Sequence, residues 1–125
     1  MKITVVDPDL LSREGLRALL GIKGYLVTAA SEIQEGLRLA RSGKAKMVLL
    51  RLPPPQCLEA VRLLRADREV AKTPILLIAD GGPQGPFREA MEAGATDWVS
   101  QPYEVRDLTE KIRTILESNP GEIRP

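Results

Sequence analysis

A chain of 125 residues suits one domain with room for a core, and its 18 basic against 17 acidic side chains lack the concentrated basic face that nucleic acid requires. The absence of histidine removes the commonest general base and the usual zinc ligand, and it excludes a protein that carries phosphate on histidine. A single cysteine, Cys57, allows no internal disulfide, and no apolar run approaches a signal peptide or a membrane span, so the expectation is a cytoplasmic protein without membrane or direct nucleic-acid contacts.

Along the chain, short aliphatic runs alternate with amphipathic stretches. Residues 3–6 predict a first strand, with Asp9 as N-cap of a helix that presents Leu16, Leu19 and Leu20 and stops at Gly24. A second strand is expected at 25–29. Ser31 with Gln34 then spells a capping box for a helix carrying Ile33, Leu37 and Ala40 and closed by Gly43. The runs at 47–50 and 75–78 are apolar at every position, as central strands of a parallel sheet covered on both faces should be. Between them Val61 and Leu64 mark a third helix, in which Cys57 reads as a small core hydrophobe.

The stretch Gly81-Gly82-Pro83-Gln84-Gly85-Pro86 lacks the Lys and Ser/Thr of a phosphate-binding loop, and its prolines remove amide donors, so a mobile connection is expected. Phe87, Ala90 and Met91 outline a fourth helix ending at Gly94. Residues 97–99 form the fifth strand, and Val105, Leu108, Ile112 and Ile115 the last helical stripe. The pattern predicts a doubly wound α/β domain over residues 1–118, with its strand order left open. Residues 119–125, with Pro120, Gly121 and Pro125, are expected to be a disordered tail or the start of a linker.

In open parallel sheets the functional crevice lies at the carboxyl ends of the strands. Those positions hold Asp7, Pro8 and Asp9, then Arg51, then Ala79 and Asp80, then Ser100, Gln101 and Pro102. Four stretches here carry a resemblance: 3–9 with its acidic end, 47–53, 73–79, and 92–103 with its Gly94-Ala95-Thr96-Asp97-Trp98 pattern and terminal Pro102. Together they resemble the receiver domain of bacterial two-component response regulators over about residues 2–117. The resemblance implies a flavodoxin-like fold, a five-stranded parallel sheet flanked by five helices.

It also implies a phosphorylation pocket from which this sequence departs. Where the family pairs two acidic residues to hold magnesium, Asp7 is followed by Pro8, with Asp9 one place further. The accepting aspartate falls on Arg51, the switch hydroxyl on Ala79 and the lysine on Gln101, beside a retained Pro102. A guanidinium offers no nucleophilic lone pair and repels a divalent ion, so neither metal nor other cofactor is expected. Arg51 is expected instead to set its fork against Asp7 or Asp9 as a permanent substitute for the ion.

Trp98 aligns with the family's switch aromatic and, with Ala79 opposite, is expected to be fixed in one rotamer. By resemblance, the surface of the fourth helix, fifth strand and fifth helix would include Arg88, Glu92, Trp98, Tyr103, Arg106 and Glu110 and dock a protein partner, an output domain or a second copy. The expected function is a phosphorylation-independent adaptor rather than an enzyme. The alternative is a flavodoxin-like domain whose crevice holds a nucleotide or another small ligand.

Overall fold

The computed structural model describes residues 1–80 and 85–118. The apolar runs become β1 (Lys2–Val6), β2 (Leu26–Ala30), β3 (Met47–Leu50), β4 (Ile75–Asp80) and β5 (Asp97–Gln101). The amphipathic stretches become α1 (Leu10–Ile22), α2 (Ile33–Gly43), α3 (Pro54–Ala66), α4 (Arg88–Glu92) and α5 (Val105–Glu117). All strand pairings are parallel, in the order β2-β1-β3-β4-β5. The chain winds outward from β1 in one direction to β2 and in the other through β3, so the topological switch point lies between β1 and β3.

Alternation along each strand divides the core into two layers. Val6, Val48, Leu50, Ile75, Leu77 and Ala79 face α2, α3 and α4, where Leu37, Ala40, Val61 and Leu64 meet them. Ile3, Val5, Met47, Leu49, Leu76, Ile78 and Val99 face α1 and α5, against Leu16, Leu20, Leu108 and Ile112. Helix α2 can lie close on β1 because Gly36 has no side chain: a Cβ there would collide with the Cγ2 methyl of Val6. Cys57 is buried in the first layer, as expected of a small hydrophobe.

Several boundaries differ from the sequence reading. Helix α2 is capped by Glu32 rather than Ser31; its carboxylate accepts from Gln34 N (2.7 Å) and Glu35 N (3.1 Å). The two oxygens of the carboxylate each take one of the orphan amides, and its negative charge suits a helix N-terminus. Gly43 is the last residue of α2 rather than its stop, and the left-handed position falls on Lys44 at φ 52°. Strand β2 begins one residue later than expected, while β4 and β5 run two residues further, carrying Asp80 and Gln101 to paired positions at the sheet end. Helix α4 spans only 5 residues and follows a short 3-10 turn at Gly85–Phe87. Most of the Gly/Pro loop (81–84) and the tail (119–125) lie outside the described residues. Among the described residues, no helix is long and apolar enough to cross a membrane.

Candidate functional site

The carboxyl ends of β1 and β3 place Asp7 and Arg51 on either side of the switch point. Backbone bonds extend the ladder past both strands: Asp7 N donates to Ala30 O and Arg51 N to Val6 O, each at 2.9 Å. The Asp7 side chain is completely buried. Its Oδ1 accepts from Asp9 N at 3.0 Å and from Arg51 Nη1 at 3.2 Å, while Oδ2 accepts from the Ser12 hydroxyl. Arg51 Nε donates to Gln101 Oε1 at 3.0 Å, so one guanidinium ties the ends of β1, β3 and β5 together.

The pairing expected with Asp7 or Asp9 is therefore made with Asp7. Asp9 is exposed; it opens α1 as the expected N-cap residue, but its side chain makes no capping bond. Pro8 is exposed at the mouth, and Ala79 is sealed in the layer beneath α3 and α4. Gln101 is partly exposed, Pro102 is exposed, and the peptide between them is cis. Sequence reasoning missed Ser12, which holds Asp7 Oδ2, and Arg13, whose Nη1 donates to the Asp7 carbonyl at 2.9 Å. The signal was present: in a β-α unit the first turn of the helix rises beside the strand's last residue, so polar side chains there belong to the crevice.

Over this cluster opens a cleft of about 380 Å³, lined by Pro8, Arg51, Leu52, Pro53, Pro54, Ile78, Asp80, Phe87 and Gln101. Tyr103 sits close by. Burial pushes its phenol above the usual value, while the positive charge of Arg51 pulls it down and Asp7 pushes it up.

The residues expected on a single docking face separate in part. Trp98 packs on the layer that contains Ala79, whereas Tyr103 packs on the opposite layer beside α1 and α5. Trp98 is held in place by Lys111, whose Nζ lies 5.5 Å from the ring centroid and bonds Trp98 O and Asp97 Oδ2, each at 3.3 Å. Arg88 and Glu92 pair along exposed α4 at 3.0 Å, and Arg106 and Glu110 are exposed on α5.

The sheet order, the switch point and the placement of Asp7 agree with one known family, and its profile, described as the response regulator receiver domain, matches residues 3–113. The chain belongs to the response regulator receiver family. This receiver domain is 26% identical over 123 residues to the phosphate regulon transcriptional regulatory protein PhoB of Pseudomonas aeruginosa, covering 96% of this chain and 54% of that protein. It is 31% identical over 118 residues to the response regulator MprA of Mycolicibacterium vanbaalenii, covering 93% of this chain and 50% of that one. The chain thus spans about half the length of these curated relatives. Among solved structures it superposes with a TM-score of 0.83 on the receiver domain of a sensor histidine kinase from Pseudomonas aeruginosa, which has a magnesium ion coordinated in its active site cleft. That match, at 23% identity over 94% of this chain and 98% of the other, establishes the fold.

The donor set of this receiver domain suits a divalent ion poorly. Both Asp7 oxygens already accept hydrogen bonds, a guanidinium occupies the end of β3, and the described residues contain no group of three or more His, Cys, Asp or Glu side chains able to hold a metal.

Proposed function

We propose that this domain is a pseudo-receiver, a two-component signalling module that works by protein contact in one fixed conformation and without phosphorylation. The observation that carries the reading is the Arg51 bridge to Asp7 and Gln101. Receiver chemistry needs a carboxylate nucleophile at the end of the third strand, and arginine keeps its proton above about pH 12. A divalent ion about 5 Å from that fixed charge would feel a repulsion on the order of 6 kcal/mol at an effective dielectric near 20. The guanidinium takes over the role of the ion as a cross-strand tie, and Ala79 offers no hydroxyl for a switch.

On this reading the domain performs no catalysis of its own and acts in the cytoplasm. Its partner is an output domain, another signalling protein or a second copy. Docking is proposed through α4, β5 and α5, with Arg88, Glu92, Trp98, Arg106 and Glu110 on the surface and Tyr103 turned toward the core beside α1 and α5.

The test is incubation with acetyl phosphate or beryllofluoride plus magnesium, followed by intact-mass analysis, amide NMR spectra and gel filtration. The expected result is no phosphoryl adduct, no magnesium-dependent shift near Asp7 and an unchanged elution volume. A phosphoryl adduct, or a mimic-driven change in oligomeric state, would remove the proposal.

A further inference from the structure

The cleft above Arg51 has a charge pattern that the guanidinium bridge does not use up. Of the five guanidinium N–H groups, one goes to Gln101 and one to Asp7, leaving three donors that the described residues do not engage. The charge of Arg51 is already balanced by Asp7. On the same cleft wall Asp80 is exposed and its side chain has no ion-pair or hydrogen-bond partner among the described residues, so Arg51, Asp7 and Asp80 together carry one net negative charge.

A nucleotide or any other phosphate would meet net repulsion here, and a volume of about 380 Å³ lies near the lower end for ligand pockets, which suits a small ligand. Apart from Gln101, whose amide oxygen already holds Arg51, the rest of the wall is apolar, with the buried Leu52 and Phe87 and the rings of Pro53 and Pro54. Leu50 pairs with Leu77, so Asp80 lies one strand over and two residues beyond the level of Arg51. At ordinary strand spacing and rise their Cα atoms are then roughly 8 Å apart, a gap that one small molecule with two opposite charges can span.

We propose that this cleft binds a free apolar amino acid as its zwitterion. The ligand carboxylate takes the spare edge of Arg51, its ammonium meets Asp80, and its side chain lies against Phe87, Leu52 and the two prolines. A phosphoryl group would need the opposite charge balance. The inference goes beyond the proposed function, since it assigns a ligand to the crevice rather than a partner to the surface.

The probe is L-phenylalanine, titrated by calorimetry and by saturation-transfer NMR into the native chain, beside N-acetylphenylalanine, phenylalanine amide and inorganic phosphate. Saturable binding of phenylalanine is expected, weakened about tenfold or more when either charge is blocked, because each charge-assisted hydrogen bond is worth at least that factor. Asp80→Asn, at an exposed position, is expected to weaken binding by a similar factor while leaving the thermal midpoint unchanged. Absence of saturation, equal binding by either blocked derivative, preference for phosphate, or an indifferent Asp80→Asn variant would each overturn the assignment. A phosphoryl adduct on the native chain would instead remove the pseudo-receiver reading and leave this titration to stand by itself.

Discussion

Asp7 is completely buried, and Thr4 is the other polar residue so enclosed among those described. A carboxylate in that position costs free energy unless its oxygens are paired, and Ser12, Asp9 N and Arg51 supply the pairing. Truncating Arg51→Ala would leave the charge with hydrogen bonds alone. The expected loss is about 2–3 kcal/mol, somewhat under that of a fully buried pair because the Arg51 side chain is 30% exposed. Urea unfolding at neutral pH measures it. An unchanged midpoint would mean that the bridge contributes nothing.

Cys57 gives a second test at the same scale. Burial pushes its thiol up to about 11 from an ordinary 9.0. The unfolded chain therefore loses this proton first, binds fewer protons than the folded one in that interval, and stability falls as pH rises. The contribution is whole below about pH 9 and is lost as pH climbs toward about 11, with Tyr103 acting in the same direction. Cys57→Ala is expected to show a shallower alkaline decline than the parent in chemical denaturation. At neutral pH the parent thiol should react with a disulfide reagent only as fast as the chain opens.

Among elements, the helix stripes were legible because an apolar residue every three or four positions has one packing solution on a sheet. The boundaries were less so. Ser31 is a preferred cap residue and Glu32 is not, so the local pattern points to Ser31; the structure uses Glu32 because of how the chain leaves β2, which local sequence does not encode. The brevity of α4 was hidden for a related reason: Phe87 belongs to the apolar stripe but sits in the tighter turn that precedes the helix.

The glycines of α1 and α2 separate helix propensity from packing. Gly36→Ala gains helix propensity of about 1 kcal/mol yet drives a methyl into Val6, and overpacking of about 1–3 kcal/mol should give a net loss. Gly15→Ala meets nothing within 4 Å and should stabilise by roughly 0.5–1 kcal/mol. Thermal unfolding of the two variants should move in opposite directions. A common sign would show that α2 can shift off β1 without cost.

Over the whole molecule, the sheet brings together Asp7, Arg51 and Gln101, residues 44 and 50 positions apart along the chain. That convergence was legible because each residue ends a strand of a parallel sheet. The choice of Asp7 over Asp9 was not, since it depends on the way Pro8 and the start of α1 turn Asp9 outward into solvent.

If Arg51 stands in for an ion, exchanging it for an acidic residue should exchange the dependence as well. In Arg51→Asp a second carboxylate would lie beside buried Asp7, and the two like charges would raise one of the carboxyl pKa values. A group with a raised folded pKa favours folding below its unfolded value, so this variant should be destabilised at neutral pH and recover as pH falls toward about 4. Magnesium should replace the missing cation and raise its midpoint, whereas the parent should respond to neither magnesium nor chelator. The variant should still accept no lasting phosphoryl group, because Gln101 and Ala79 remain in place of a lysine and a hydroxyl. Thermal melts with magnesium and with chelator, read beside intact mass after acetyl phosphate, separate the two effects. A parent chain that magnesium stabilises as much as the variant would show that the guanidinium does not occupy the ion's place.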